Sequence, residues 1–152
     1  MEYSHSDAEL IRQPIGYWSW AAHKAIVTYI RAGLSDFGLS QPQWWVLGQV
    51  LDGGEDGRSR AEVRAVLEGY LDVGADLEPE IDALLTRGLL TTDDEKRLRL
   101  TDEGRALRER VAERQGAMRD RIHDGIPDEE YVAVLKVLQR MIDNVGGTAW
   151  HH

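Results

Sequence analysis

The sequence predicts a mainly α-helical chain with one small β-hairpin. Along most of its length, apolar residues recur every three or four positions, the spacing that places them on one face of a helix. From Lys96 to Leu100 the spacing changes to two, which is typical of strands. At 152 residues the chain suits one domain, 1–152.

The first helical segment covers about residues 8–34. Pro14 removes a backbone hydrogen bond, so we expect a kink or a fresh start near Gln13. The next helix begins after Ser40, which forms a capping box with Gln43. Apolar and aromatic side chains follow helical spacing in the first segment at Ile11, Ile15, Trp18, Ala22, Ile26 and Tyr29.

Two short helices follow a glycine-rich acidic loop. Ser59 with Glu62 is a capping box that begins the first of them. Gly69 and Gly74 bracket a turn. The second helix covers about Leu77–Arg87, and its apolar face carries Leu77, Ile81, Leu84 and Leu85.

A predicted hairpin comes next, with an acidic turn at Asp93–Glu95. In its second strand the period of two turns Leu98 and Leu100 inward and leaves Arg97 and Arg99 on the solvent side. Helix, helix and hairpin in this order predict a winged helix-turn-helix over about residues 40–105. The second helix would be the recognition helix, and the hairpin the wing.

The C-terminal third predicts two helices. Thr101 is placed to cap a long helix, and Gly125–Asp128 ends it and begins the last one. A wide apolar face on the last helix indicates a homodimer, because so much apolar surface is rarely left in water. Packing of this face against the first helix of the same chain is the alternative. The dimerisation region would cover about 8–34 and 102–146, with the interface at Leu10, Ile11, Tyr131, Leu135, Leu138, Met141, Ile142 and Val145.

Three motifs, GLSQPQWWVL, RGLL and RLRLTDEG, resemble those of the MarR family of bacterial regulators. The likeness covers nearly the whole chain. It implies a cytoplasmic homodimer that binds double-stranded DNA at a palindromic operator, with repression as the expected mode. It also implies that the helix near Leu77–Arg87 enters the major groove, and that a small, often aromatic, effector binds in a cleft.

The net charge of −9 requires that any DNA-binding surface be basic locally. The wing turn is shorter than in most of the family. For the basic side chains of the wing, the alternative role is protection of an edge strand from aggregation. The candidates for phosphate or minor-groove contacts are Arg58, Arg60, Arg64, Lys96, Arg97 and Arg99.

The predicted recognition helix begins with four carboxylates, at Asp76, Glu78, Glu80 and Asp82. Direct readout of bases uses basic or neutral polar side chains more often. Acidic residues near a helix N-terminus are stabilised by the helix dipole, which is the simpler interpretation. The alternative is that Glu78 or Glu80 accepts a hydrogen bond from cytosine N4.

Four of the five tryptophans lie in the two helices before the motif. Stacking surfaces and indole N–H donors suit an aromatic effector. Aromatic stripes at helical spacing are more often core, and a lone histidine is more often structural. The predicted ligand-binding residues are Trp18, Trp20, His23, Trp44, Trp45 and Met118.

Other functions lack support in the sequence. The chain has no cysteine, no histidine cluster with metal-ligand spacing and no phosphate-binding glycine loop, so no cofactor, metal or enzyme activity is predicted. No apolar run approaches the roughly 18 residues of a membrane helix. Two rival hypotheses remain. One is a winged-helix scaffold that has lost most DNA affinity and binds ligands or proteins, and the other is an enzyme that uses the aromatic pocket.

Overall fold

The computed structural model describes residues 2–68 and 77–149. Two sequence predictions concern residues outside these ranges: the turn between Gly69 and Gly74, and the carboxylate of Asp76.

The described chain is mainly helical, with one two-stranded antiparallel hairpin, which confirms the predicted fold class. A single 3-10 turn at Gly54–Asp56 separates the third and fourth helices. In chain order the elements are α1 Asp7–Leu10, α2 Ile15–Ser35, α3 Gln41–Asp52, α4 Arg60–Leu67, α5 Leu77–Thr86, β1 Leu90–Thr92, β2 Leu98–Leu100, α6 Asp102–Ile122 and α7 Asp128–Asn144.

Side-chain caps fix where three of the helices begin. The hydroxyl of Ser40 accepts from the backbone N–H of Gln43 at 3.2 Å, and that of Ser59 accepts from Glu62 at 3.2 Å. Thr101 caps α6 in the same manner. All three caps were predicted, because a cap depends only on residues a few positions apart.

The two predicted helix breaks are also confirmed. α1 ends at Leu10 and α2 begins at Ile15, directly after Pro14. At the other end, Gly125 has a φ of 74°, which glycine adopts without steric cost, and it separates α6 from α7.

The core of the winged-helix lobe lies around α3. α3 packs against α4, α5 and β2, which places it at the centre of the lobe. β1 pairs with β2, and the backbone of Arg58 adds a bridge on the other edge of β2, with Leu98 N donating to Arg58 O at 2.7 Å. The fully buried side chains include Val46, Leu47, Val63, Ile81, Leu84 and Leu98.

α6 connects this lobe to the terminal helices. It packs on α2, where the side chain of Met118 lies directly against Gly33 and fills the space that a larger residue would need. Leu107 and Val111 are buried on the same helix. α7 differs from the other long helices because none of its residues is buried.

Candidate nucleic-acid interface

The outer face of α5 is the surface that a recognition helix would present to DNA. α5 turns Leu77, Ile81 and Leu84 into the core. Pro79, Asp82 and Thr86 lie on the opposite side, and all three are exposed. This outer face carries no basic side chain within the described residues.

Arginines of α4 neutralise the carboxylates of α5. The Arg60 guanidinium lies 2.7 Å from Glu78 Oε2 and 2.6 Å from Asp82 Oδ1. Arg64 Nη1 lies 3.5 Å from the other oxygen of Glu78. Hydrogen bonds to Asp82 and then to Glu78 raise the pKa of Arg60 above its usual value. Arg60 and Arg64, both predicted to hold phosphates, are therefore engaged by the predicted recognition helix.

Glu80 is held from a different direction. Its Oε2 accepts a hydrogen bond from Gln43 Nε2 at 2.7 Å, and Gln43 belongs to α3. Glu80 is half-buried in this position. The carboxylate predicted to read a base thus lies beside α3, on the flank of α5.

The wing arginine Arg97 folds back onto the turn that precedes α4. Its Nε donates to Asp56 O at 2.6 Å, and its Nη2 donates to Gly57 O at 2.9 Å. The same guanidinium lies 3.1 Å from Glu62 Oε2. Backbone carbonyls and a carboxylate from a distant part of the chain therefore bind Arg97, which the sequence predicted to lie on the solvent side and whose side chain is 28% exposed.

Arg99 is engaged in a similar way. Its Nε lies 2.8 Å from Asp93 Oδ2, and its Nη1 donates to the backbone carbonyl of Glu55. Leu98 and Leu100 are buried and the side chain of Arg99 between them is 37% exposed, so the alternation of β2 is as predicted, although the Arg99 guanidinium is paired.

Asp93 organises the tip of the wing. Its Oδ1 accepts from the backbone N–H groups of Glu95 at 3.0 Å and Arg97 at 2.8 Å. These bonds and the Arg99 guanidinium lower the pKa of the Asp93 carboxyl, and the N–H of Arg97 has the largest effect. Lys96 takes a φ of 59° so that the chain can turn so tightly.

Two of the six predicted basic contacts remain unpaired within the described residues. Lys96 is exposed at the tip of the wing and has no ion pair there. Arg58 is half-buried, and its Nε has no hydrogen-bond partner. The local excess of positive charge that the sequence suggested is thus largely cancelled by neighbouring carboxylates.

Two adjoining cavities lie between α2 and the corner of α6 and α7. The larger, of about 570 Å³, is apolar and includes Ile26, Tyr29 and Val134 in its walls. The smaller, of about 430 Å³, adds Gln115 and Arg119. His123 and Tyr131 line both, and their rings lie 4.4 Å apart.

The predicted ligand-binding residues are mostly elsewhere. Met118 lines the smaller cavity, and the other five line neither of the two. Trp44 and Trp45 pack against the core, with Arg108 4.7 Å above the Trp44 ring. The remaining three, Trp18, Trp20 and His23, are exposed on α2. The helical spacing of the aromatic residues did not show whether each one lies in the core, on the surface or in a cavity wall.

The predicted dimer face is apolar and open. Ile11 and Val145 are 86% and 83% exposed, and Leu135 and Met141 are 40% and 41% exposed. Leu10, Tyr131, Leu138 and Ile142 are half-buried.

Two features are absent from the described ranges. They contain no cluster of histidine and carboxylate side chains that could hold a metal ion. No helix in them is long and apolar enough to cross a membrane.

The sequence matches no protein-family profile and no curated protein, but the fold matches solved structures. A MarR-family transcriptional regulator from Rhodococcus sp. RHA1 aligns with a TM-score of 0.68 and 25% identity, over 91% of this chain and 96% of that one. CouR from Rhodococcus jostii RHA1, bound to p-coumaroyl-CoA, aligns with a TM-score of 0.69 and 26% identity, over 86% and 92%. A MarR-family protein of Mycobacterium tuberculosis in complex with DNA aligns with a TM-score of 0.66 and 20% identity, over 85% and 98%.

The chain has the winged-helix fold of the MarR family. The solved structures with this fold include transcriptional regulators of the MarR family. In this MarR-like chain, α5 is the second helix of the predicted helix-turn-helix, and the β1–β2 hairpin is the predicted wing.

Sequence reasoning missed the ion pairs between the two helices of this MarR-type motif. A signal was present, because Arg60 and Arg64 are four residues apart on α4, and Glu78 and Asp82 are four apart on α5. Residues at this spacing share a helix face, so the two helices carry matching rows of opposite charge. The rows are recognised as partners only once the two faces are known to meet.

Proposed function

We propose that the chain is a homodimeric DNA-binding transcription regulator that responds to a small ligand. One observation carries this proposal: a winged-helix lobe with an exposed recognition helix is joined to terminal helices whose apolar faces have no partner in the described chain. The exposed recognition helix suits binding to DNA, and the open apolar faces suit binding to a second copy of the chain.

The exposure of α7 supports the dimer. Val134, Leu135 and Met141 are 56%, 40% and 41% exposed, although a small protein rarely leaves a continuous apolar face in water. Packing of α7 against α2 of the same chain was the alternative. The close contact of His123 with Tyr131 lies at the N-terminal end of α7 and leaves the face beyond it open.

Two-fold symmetry would then determine the form of the operator. A closed dimer presents the same surface twice, so its two α5 helices would enter successive turns of the major groove. A palindromic site matches this arrangement. Repression follows where such a site overlaps a promoter.

The cavities beside α6 support a ligand-responsive protein. Their walls are mostly apolar, with Gln115, Arg119 and His123 as polar groups, which suits a small aromatic molecule that carries a polar or anionic group. CouR, which has a similar fold, was solved with p-coumaroyl-CoA. A ligand that favours one separation of the two DNA-binding lobes would change DNA affinity.

The ion pairs on the DNA-facing side favour one rival. Arg60, Arg64, Arg97 and Arg99 all have carboxylate partners, so the winged helix could be a scaffold with little affinity for DNA. The regulator remains our proposal, because surface ion pairs are weak, about 0–1 kcal/mol each, and exchange readily for phosphates.

Fluorescence anisotropy across a salt series tests the proposal. The protein would be titrated into labelled duplex from upstream of its own gene and into a scrambled duplex of equal composition. We expect tighter binding to the upstream duplex, and an affinity that falls as salt rises because phosphate contacts release counterions. Equal or absent binding to both duplexes would contradict the regulator and favour the scaffold.

Lys96→Gln provides a second measurement in the same assay. Lys96 is exposed on the wing and unpaired in the described chain, so its loss should weaken binding to both duplexes alike and reduce the salt slope by about 1 per subunit contact. Lys136→Gln, on α7, removes the same charge far from the wing and should leave the slope unchanged. An unchanged slope in Lys96→Gln would contradict the wing contact.

A further inference from the structure

Asp82 is the one charged side chain on the outer face of α5. It lies one turn after Glu78 and one turn before Thr86, on the side away from the buried Leu77, Ile81 and Leu84. Its side chain is 64% exposed, compared with 38% for Glu78. Of the three described carboxylates of α5, Asp82 is the most exposed, and it lies on the face that would meet the groove.

Arg60 holds one oxygen of this carboxylate and leaves the other free. Its Nη2 lies 2.6 Å from Asp82 Oδ1, and no group in the described chain donates to Oδ2. The same guanidinium lies 2.7 Å from Glu78, so two carboxylates of α5 hold Arg60 in position. The adjacent positive charge offsets the repulsion that an isolated carboxylate would meet beside phosphates.

The other two carboxylates are less suited to contact a base. Both oxygens of Glu78 face arginines, with Oε2 near Arg60 and Oε1 near Arg64. Glu80 accepts from Gln43 and lies beside α3. Asp82 therefore combines an oxygen that has no donor in the described chain with an exposed position on the outer face, and neither Glu78 nor Glu80, the residues that the sequence had suggested, does so.

We propose that Asp82, positioned by Arg60, selects cytosine in the operator half-site by accepting a hydrogen bond from cytosine N4 at its free Oδ2. The inference rests on the proposed DNA-binding function. In the major groove, cytosine offers an amino donor, whereas guanine and thymine offer carbonyl oxygens that repel a carboxylate. Adenine offers a donor beside the acceptor N7, which suits an amide better than a carboxylate.

Replacement of the Asp82 carboxylate by an amide should change the preferred base in a predictable way. Wild-type protein and Asp82→Asn would each be used to select duplexes from a randomised library, and the enriched half-sites sequenced. We expect an enriched cytosine at one position for wild type and adenine at that position for Asp82→Asn, because an amide pairs with adenine N6 and N7. In anisotropy the cytosine preference of wild type should be about tenfold over the other bases, within the range for one direct base contact.

A matched variant separates base reading from a change of net charge. Asp94→Asn removes one carboxylate from the exposed turn of the wing, where Asp94 makes no ion pair in the described chain. It should strengthen binding to every duplex slightly and keep the cytosine. Arg60→Met should weaken the cytosine preference without creating one for adenine, because the carboxylate is then unpaired and no longer held in place. Thermal unfolding of each variant confirms that it is folded.

The outcomes distinguish this inference from the proposed function. If wild-type protein enriches no sequence, both are overturned. If wild-type protein enriches a site and Asp82→Asn enriches the same one, regulation by DNA binding stands and base reading by Asp82 is overturned. The same holds if Asp94→Asn changes the preferred base as much as Asp82→Asn does.

Discussion

Leu135→Glu should convert the protein into a monomer. Leu135 lies near the middle of α7 and is 40% exposed. Full burial of a leucine side chain is worth about 1.5–3 kcal/mol, so burial of the exposed fraction against a partner contributes about 1 kcal/mol per copy. Two-fold symmetry doubles this to about 2 kcal/mol for the dimer.

A glutamate at this position adds the cost of removing a carboxylate from water. Burial of a polar group without a partner costs about 1–3 kcal/mol in proteins, and a charged group costs more. Together with the lost apolar burial, the dimer should be destabilised by at least about 4 kcal/mol, which corresponds to a rise in Kd of about a thousandfold.

Sedimentation velocity over a range of micromolar concentrations measures this change. Leu51→Glu is the matched control, because Leu51 is also a partly exposed leucine, at 38%, but lies on α3, outside the terminal helices. We expect dimers for wild type and Leu51→Glu, and monomers for Leu135→Glu. A monomeric wild type, or a Leu135→Glu variant that still sediments as a dimer, would refute the assignment of α7 to the interface.

Two further predictions concern the winged-helix lobe. Gly104→Ala should destabilise the fold by about 1–3 kcal/mol in chemical denaturation, since its Cβ would collide with the backbone carbonyl of Leu89. Gly116→Ala, on the same helix, is the control: its Cβ meets nothing within 4 Å, so it should stabilise the fold by about 1 kcal/mol. Equal effects of the two substitutions would contradict the close approach of Gly104 to Leu89. Asp93→Asn should be less stable than wild type at pH 7, because the lowered pKa of Asp93 means that the fold favours its carboxylate. The difference should be present above the ordinary aspartate pKa of about 4 and disappear as pH falls through the lowered value, and a difference independent of pH would contradict the role of the charge.

The sequence correctly predicted features that depend on residues close together in the chain. The caps at Ser40, Ser59 and Thr101 depend on residues three positions away, so their sequence patterns are sufficient. The partners of Arg97 could not be found in this way, because Asp56 and Glu62 lie 41 and 35 positions earlier in the chain. Arg97 and these partners come together only because the segment before α4 forms a backbone bridge with β2.

The same distinction explains why most of the predicted ligand-binding residues do not line the two cavities. A tryptophan at helical spacing is compatible with core, surface or cavity, and the helix alone does not decide between them. The walls of the two cavities lie where α2 meets the corner between α6 and α7, and they include His123 and Tyr131. That corner depends on how three helices cross, which no short stretch of sequence encodes.

The ion pairs also change what the net charge of −9 implies for DNA binding. Each guanidinium that turns from a carboxylate to a phosphate leaves that carboxylate unpaired beside DNA, so the gain in affinity from arginines such as Arg60 is partly cancelled. A single lobe should therefore bind weakly. In the proposed dimer, two lobes joined by the terminal helices would multiply their affinities through a high effective concentration, so operator binding would depend on the dimer more than in a strongly basic winged helix. On this reasoning Leu135→Glu should lose operator binding although its DNA-facing residues are unchanged, whereas full binding by the monomer would show that one lobe supplies the affinity.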